Sequence, residues 1–450
     1  MKIEISLPIY LDKVLSRLNA AGFESYLVGG AIRDTLLGIK PHDYDVTTNA
    51  NKTEIAQIFS DMTVFQAGSA FSTMILVISP SISIEITSFR SKDPNTLGQS
   101  LEEDLGLRDF TIDSMAIDEE KNLYDFNKGL EDLKARKIRT VGSPKERFLE
   151  DPLRMLRYFR LMAKFNFSGD DNTLQAIKDN ASLISKVSPE RIRDTLKDIL
   201  IIRPTLFKEM SEVGLLIYII KDVDDLFSVS QNNPWHYTDV GNHTIDALRF
   251  FENYHDLSSE DRYILSNAIL FHDLGKRDCK TTDAKGSDLF YQHEEVSETL
   301  ASGIMEKYKY SNSDKALILK LIKNHSLTLS MTKRCFLRLI TRRKLSKHEF
   351  FLLTLLMQAD EFAHVDGDKR VASHQEVFSY LLDMYDRNAS GKKELTVNSL
   401  ALNGKDIIKE MNINPGPEVG FLKQKLFEAV ILGSVKNEKE DLLSYLKSLK

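Results

Sequence analysis

Apolar spacing changes once along this chain and does not change back. Over about the first 140 residues, helical and strand patterns take turns. Residues 9–21 have helical spacing, 26–28 read as a short strand, 33–37 start a helix and 44–47 alternate as a strand. Two more strand patterns, 74–79 and 83–88, are divided by Pro80 and a serine-rich turn. From Asp151 onward strand patterns almost vanish. Apolar residues then recur at helical spacing over 153–164, 192–202, 316–322, 350–357 and 377–384. A mixed α/β head is therefore followed by a long all-helical body, with no internal repeat and no low-complexity tract.

Composition narrows the class. The 450 residues suit about three domains, and 42% hydrophobic with 28% charged residues is globular rather than disordered or fibrous. Cys279 and Cys335 are too few for a disulfide scaffold or a Cys-rich zinc module. The cleanest apolar stretch, 215–220, is far too short to cross a bilayer, and Glu4 interrupts what a secretory leader would keep apolar. The expectation is a soluble cytoplasmic protein with no membrane partner. A net charge of −6 excludes a surface that is basic throughout. Two local stretches are basic nonetheless: ten Lys/Arg stand against five Asp/Glu between Glu131 and Lys164, and 333–347 carries seven Lys/Arg and no acid. Such runs are either solvated helix faces or sites for phosphate contacts.

The segment YLVGGAIRDTLLGIKPHDYDVTTNA, residues 26–50, carries the most chemistry. A short strand runs into Gly29-Gly30 and a helix follows. Two glycines there let the backbone approach a bulky anion, with helix N–H groups pointing at it. Arg33, on the first turn, adds a charged fork for phosphate. Asp43-Tyr44-Asp45 sets two carboxylates at i and i+2, on one face of a strand. Two close like charges repel unless a cation sits between them, and hard oxygen ligands suit Mg²⁺ bridging to a nucleoside triphosphate. Singly, Gly-Gly is a tight turn and Asp-x-Asp a solvated strand edge. Together, in this order, they are far more specific.

This segment resembles the signature of the tRNA nucleotidyltransferase and bacterial poly(A) polymerase family, class II, within the polymerase-beta-like superfamily. The resemblance implies a multidomain protein: an α/β polymerase-beta-like nucleotidyltransferase head over 1–140, then an all-α neck over 141–204, body over 205–395 and tail over 396–450. It implies that Asp43 and Asp45 hold two Mg²⁺ ions. One activates the primer's 3′-hydroxyl, and the other neutralises the triphosphate and the departing pyrophosphate. Glu85, in SIEITSF, is a candidate third carboxylate, with a plain edge-strand acid as the alternative.

Further motifs follow in family order. Arg108-Asp109-Phe110-Thr111-Ile112 is similar to the segment that contacts the incoming ribose, Asp109 accepting from its hydroxyls. Where the family often continues Asn-Ala-Met-Ala, this chain has Asp113-Ser114-Met115-Ala116. Glu150-Asp151-Pro152-Leu153-Arg154 resembles the nucleobase-reading motif; Asp before Pro is otherwise an ordinary helix N-cap. Asp151 and Arg154, three apart on a helix, share a face. An acceptor beside a donor fork matches the amino group and ring nitrogen of cytosine or adenine. Guanine and uracil present the reverse order and would leave buried groups unpaired. Arg157 and Arg160 continue the basic face toward phosphate.

Ten residues, SKDPNTLGQS, separate Phe89-Arg90 from Leu101-Glu102-Glu103-Asp104-Leu105. Family members that add complete CCA resemble one another in a longer loop here with an Arg-Arg-Pro run, which helps the pocket switch from CTP to ATP. A shortened loop is the pattern of enzymes that add only the two cytidines. The resemblance therefore favours CC addition from CTP to the tRNA 3′ end, with full CCA addition using CTP and ATP as the alternative. A poly(A) polymerase would have to reject CTP and hold general RNA ends, and no basic tail serves that.

Farther along, His243-Thr244 opens a helix after NPWHYTDVGN, and His272-Asp273-Leu274-Gly275-Lys276 follows the apolar ILF. A lone helical His is ordinarily structural. The His-Asp pair before Leu-Gly-Lys resembles the HD metal-dependent phosphohydrolase superfamily. That resemblance makes His243, His272, Asp273 and Asp360 ligands of one divalent ion, and His293 and His325 extra ligands or phosphate contacts. It gives Lys276 a contact to substrate phosphate. The N/O donor set suits Mg, Mn or Ni rather than a thiolate zinc site. The implied chemistry is metal-activated water attacking a phosphoester, as a 2′,3′-cyclic phosphodiesterase or phosphatase on RNA ends, against a purely structural arm. The C-terminal stretch, with turn signals at Asn403-Gly404-Lys405-Asp406 and Pro415-Gly416-Pro417, resembles the tail of these enzymes. It reaches the lower part of the tRNA's coaxial arm, or simply closes the body. Two rivals stand beside this reading: an HD phosphohydrolase whose head merely binds nucleotide, and an RNA-binding protein with a degenerate head.

Overall fold

Every strand of the main sheet comes from the first 124 residues. The computed structural model describes residues 1–450 except 4, 6, 67–72, 94–95, 253, 255, 390–396 and 450, and except the side chains of 388 and 389. Contacts divide the chain into two units, Met1–Ile219 and Ile220–Lys450.

In the first unit, seven strands form one sheet: β1 Ser25–Val28, β2 Tyr44–Thr48, β3 Thr63–Gln66, β4 Thr73–Ser79, β5 Ile82–Ser88, β6 Ala116–Ile117 and β7 Leu123–Tyr124. Their order is β3-β4-β5-β2-β1-β6-β7. β2 and β5 are parallel, and every other neighbouring pair is antiparallel. Register decides what each face carries. Leu27 pairs with Val46 and Ile117, Val46 with Ile86, and Leu76 with Ile84. All six are fully buried, as are Leu11, Leu15 and Leu18 of the Ile9–Ala20 helix and Ile55 of the Lys52–Ile58 helix. On the opposite face, Val28 and Ala116 pack with Leu101 and Leu105 of the short Leu101–Gly106 helix. Asp45 and Glu85 stand on this second face, level with Val28.

Four of the seven strands match alternation visible in the sequence. β3 is mostly exposed, so it carries no apolar stripe. β6 and β7 are two residues long, too short for a period to register. After the sheet, the helices Pro144–Glu150, Arg154–Phe165 and Pro189–Ile202 complete the unit with Leu206–Glu212 and Leu216–Ile219.

The second unit is helical apart from one two-residue hairpin, among the described residues. Its hub is Ser259–Phe271, in which every residue from 263 to 271 is buried. This helix packs against Val240–Glu252, Asn312–Asn324 and Lys347–Phe362. A separate apolar cluster, including Leu402, Ile407, Leu426, Leu442 and Leu446, closes the C-terminal helices Gly404–Met411, Pro417–Ile431 and Lys439–Lys447. The turn signals behave as read: Asn403 forms a capping box with Asp406, and Pro417 takes the first helical position. The 395/396 boundary lies outside the described residues. No described helix is long and apolar enough to cross a membrane.

Candidate functional site

β1 ends at Val28, and the chain turns at Gly29 with φ of 78°, in the left-handed region that favours glycine. A Cβ there would lie 3.2 Å from Arg108 Nη1 and 3.6 Å from Asp45 Oδ2. Glycine lets both side chains crowd the turn. Val28 pairs with Asp45, and Asp45 with Glu85, so all three share a face. Asp43, two residues before Asp45, alternates onto it. Burial pushes the Asp45 carboxyl upward and the Glu85 charge pushes it further, while Arg108 and Arg90 draw it back. A divalent cation relieves that crowding, and carboxylates are the hard donors Mg²⁺ takes. The head trio is not one of the two groups of three whose ligand atoms lie within 4.8 Å of one another among the described residues; both of those are in the second unit. Asp43, Asp45 and Glu85 thus share a face without closing into a cage, which suits an ion that also takes phosphate oxygens.

The arginines are held rather than free. Arg108 is buried, and its Nη2 donates to Asp104 Oδ2 at 3.1 Å, while its Nε has no hydrogen-bond partner. Arg33, expected as an open phosphate fork, is buried under the Gly-Gly turn. Its Nε and Nη2 donate to Asp34 Oδ1 at 2.8 and 2.7 Å, Nη1 pairs with Asp113, and its guanidinium lies 4.3 Å from the centre of the Phe165 ring. Asp113, where the chain departs from the family pattern, is thus the partner of Arg33.

The ribose and base motifs meet. Arg154 Nε donates to Asp109 Oδ1 at 2.5 Å, and Arg157 Nη1 to Asp109 Oδ2 at 2.6 Å. Asp151 and Arg154 do not share a helix face as expected. Asp151 precedes Pro152, whose ring bars the helical region to its neighbour. Asp151 is accordingly extended, at φ −143° and ψ 100°, after Pro144–Glu150, and the next helix begins at Arg154. Asp151 does cap the turn leading into that helix, its Oδ1 accepting from the Leu153 N–H at 3.1 Å. Asp151 also receives Arg191 Nη2 at 2.9 Å and stands 3.6 Å from Arg157 Nη2. Arg160 lies 3.7 Å from Asp198.

Sequence reasoning missed Asp104. It is fully buried and also accepts from the Arg90 backbone N–H at 3.0 Å. A buried acid flanked by two arginines is legible only once the fold brings them together. In the 91–100 loop, Gly98 N donates to Phe89 O at 2.8 Å. A Cβ on Gly98 would lie 2.2 Å from Arg90 O. Pro94 and Asn95 of this loop lie outside the described residues.

In the second unit, five separate segments bring His243, His272, Asp273, His293, His325 and Asp360 together. His272 and His325 each cap the C-terminus of a helix, and their Nδ1 atoms face the carbonyls of Ile269 and Ile322, both at 2.7 Å. This hydrogen bond leaves Nε2 facing inward. His243 Nε2 lies 2.9 Å from Asp360 Oδ1, and His272 Nε2 lies 3.1 Å from Asp273 Oδ2 and 3.6 Å from Asp360 Oδ1. His272 Nε2 is buried without a hydrogen-bond partner, and Asp273 Oδ2 is buried against Lys276 Nζ. An orphaned imidazole nitrogen among the carboxylates of Asp273 and Asp360 is a donor that a divalent ion takes. Burial opposes the charged form of His272, yet Asp273 and Asp360 outweigh it and raise its pKa to about 10. Lys276 is buried; its Nζ stands 2.7 Å from Asp273 Oδ2 and 2.8 Å from Gln231 Oε1, facing the cluster rather than solvent. Gly275 explains its place in the motif, since a Cβ there would lie 2.3 Å from His293 O.

The basic stretch at 333–347 spans the Lys333–Thr341 helix, the turn after it and the first residue of Lys347–Phe362. Arg334, Arg338 and Arg342 line a cavity of about 460 Å³ with Ser330, Thr332 and Thr341.

These features have counterparts in known proteins. Residues 25–139 match the family model of the poly(A) polymerase head domain, 166–227 that of a probable RNA and SrmB-binding site of polymerase A, and 282–446 that of a putative tRNA nucleotidyltransferase domain 2. The CCA-adding enzyme of Ligilactobacillus salivarius is 29% identical over 446 residues, covering 97% of this chain and 95% of that protein. The CCA-adding enzyme of Streptococcus gordonii is 44% identical over 188 residues, 40% of this chain and 46% of that one. In fold, the chain is similar to the CCA-adding enzyme of Bacillus stearothermophilus solved in complex with CTP, with a TM-score of 0.69, 24% identity and coverage of 99% and 98%. The chain belongs to the tRNA nucleotidyltransferase and poly(A) polymerase family, with a polymerase-beta-like head and a helical C-terminal region.

Proposed function

We propose that this chain is a template-independent tRNA nucleotidyltransferase that adds cytidines from CTP to the tRNA 3′ end and releases pyrophosphate. The observation that carries this is the pairing of Asp45 with Glu85 beside Gly29 and the buried Arg108. Asp43, Asp45 and Glu85 are the residues to hold Mg²⁺. When bound, two such ions supply activation of the 3′-hydroxyl and neutralisation of the triphosphate. Gly29 and Gly30 give phosphate room against the backbone. Arg108, fixed by Asp104, is positioned to face its charge, and Arg33 braces the turn from beneath. Ribose hydroxyls would compete with Arg157 for Asp109, and Asp151 with Arg154 supplies the acceptor and donor fork for a cytosine or adenine edge. The head spans 1–140, the neck 141–204, the body 205–395 and the tail 396–450.

The ten-residue length of the 91–100 segment supports CC-only addition. The relatives are named CCA-adding enzymes, and one such enzyme was solved with CTP and another with ATP, which favours full CCA addition as the second reading. A tRNA lacking its CCA end, given CTP and ATP with Mg²⁺, decides between them. The expected product gains two cytidines and no adenosine. Robust adenosine incorporation overturns the CC-only reading, and no incorporation at all overturns the nucleotidyltransferase reading.

Affinity for tRNA comes from phosphate contacts, with Arg334, Arg338 and Arg342 as contributors, and the enzyme acts in the cytoplasm where tRNA is processed. In the body, His243, His272, Asp273 and Asp360 are the residues to hold a divalent ion, Mg, Mn or Ni. When bound, it supplies an activated water for phosphoester hydrolysis at RNA ends. The orphaned His272 Nε2 supports this second activity. Turnover of a 2′,3′-cyclic nucleotide with Ni²⁺ or Mn²⁺ is expected, and no turnover with any metal leaves the body a structural arm.

A further inference from the structure

We infer that Arg191 is a positioning residue for base selection: it holds the Asp151 carboxylate where that group meets the amino edge of the incoming nucleotide. This rests on the reading that Asp151 and Arg154 face the base.

Asp151 lies between two helices, extended at φ −143° and ψ 100°, so no helical turn fixes its side chain. Its two oxygens are held from different sides instead. Oδ1 accepts from the Leu153 N–H at 3.1 Å, and Oδ2 accepts from Arg191 Nη2 at 2.9 Å, from a residue 40 positions on. Each carboxylate oxygen carries two lone pairs and so keeps one for an incoming donor. With both oxygens anchored, the plane of the carboxylate is set.

Neighbouring cations do not duplicate Arg191. Arg157 Nη2 stands 3.6 Å from Asp151 Oδ2, but its Nη1 is committed to Asp109 Oδ2 at 2.6 Å. Arg154 is divided among Asp109, Glu150 and the Arg147 carbonyl. Among the described residues, Arg191 is the one cation hydrogen-bonded to Asp151. It is the third residue of the Pro189–Ile202 helix. The unpaired N–H groups of a first helical turn disfavour a cation, so the helix itself gives no reason for an arginine there. The ion pair adds little stability either, since the Arg191 side chain is half exposed. What the contact supplies is direction.

Direction matters because selection turns on donor against acceptor at one point. Cytosine presents an amino group at the ring carbon where uracil presents a carbonyl. A fixed carboxylate accepts from the first and repels the second. One that is free to turn loses both effects, and a shift of about 1 Å can cost about 100-fold.

The test compares single-turnover efficiency with CTP and with UTP on tRNA lacking its CCA end, using the full chain and its Arg191→Ala, Arg191→Lys and Asp151→Ala variants. The readout is the CTP-to-UTP ratio, which does not depend on how much of the protein is folded. Arg191→Ala should lower that ratio by at least about tenfold. Arg191→Lys should stay within about threefold of wild type, because the contact uses a single donor rather than the arginine fork. Adding Arg191→Ala to Asp151→Ala should lower the ratio no further than Asp151→Ala alone. If Arg191→Ala slows CTP and UTP alike while Asp151→Ala lowers the ratio, base reading stands and the positioning role is overturned. Equal losses of ratio from Ala and Lys at 191 overturn it too, since the helix rather than the contact is then disturbed. If Asp151→Ala leaves the ratio unchanged, the base-reading assignment itself fails and this inference falls with it.

Discussion

Arg154 Nε lies 2.5 Å from Asp109 Oδ1, across 45 residues of sequence, and Arg157 takes the other oxygen of the same carboxylate. Asp109 therefore fastens the Arg108–Ile112 segment to the Arg154–Phe165 helix. Burial opposes ionisation of Asp109, but Arg154 and Arg157 outweigh it and lower its pKa. Replacing it by Asn should destabilise the fold by about 1–3 kcal/mol, read as a lower urea midpoint. A carboxyl whose pKa falls on folding contributes stability that is complete above its unfolded pKa of about 3.9 and fades as pH drops toward the folded value. The difference between wild type and Asp109→Asn should stay constant from about pH 8 to about pH 5 and shrink below about pH 4. A difference that ignores pH down to acid unfolding contradicts this.

Gly29 is the second point of tension. Its φ of 78° strains any side chain, and a built Cβ 3.2 Å from Arg108 Nη1 would push that guanidinium aside by a few tenths of an ångström. Gly29→Ala should strain the turn by about 1–3 kcal/mol and move Arg108 or Asp45. CTP incorporation should fall by at least about tenfold, or about 1.4 kcal/mol of barrier. Single-turnover incorporation beside a thermal melt separates that loss from simple unfolding.

Salt should weaken tRNA binding. If Arg334 and Arg342 each contact a phosphate, the logarithm of affinity should fall linearly with the logarithm of salt, and replacing both by Ala should reduce the slope by about one to two. Filter binding across a salt series measures it. Unchanged slopes place the phosphate contacts elsewhere.

Much of this was written in local sequence. The β2 carboxylates, the Gly-Gly turn, the HD pair and the tail caps are each a few adjacent residues whose conformation is set by neighbours. What escaped depended on distance or on proline. Asp104 reads as one more acid in LEED until the fold sets Arg108 and the Arg90 backbone on it. Arg33 reads as an open cation until Asp34, Asp113 and Phe165 enclose it. Helical spacing predicted a shared face for Asp151 and Arg154, but Pro152 holds Asp151 extended and outside the helix. Lys276, which the HD resemblance aims at substrate phosphate, is buried with its Nζ on Asp273.

Incorporation of labelled CTP into tRNA lacking its CCA end, compared between wild type and Asp45→Ala, tests the central claim most directly. The account predicts a loss of about 10³-fold or more, some 4 kcal/mol of barrier. The melting temperature should be unchanged or higher, because burial and Glu85 crowd that carboxylate. Incorporation within about threefold of wild type, from a variant that remains folded, would contradict it.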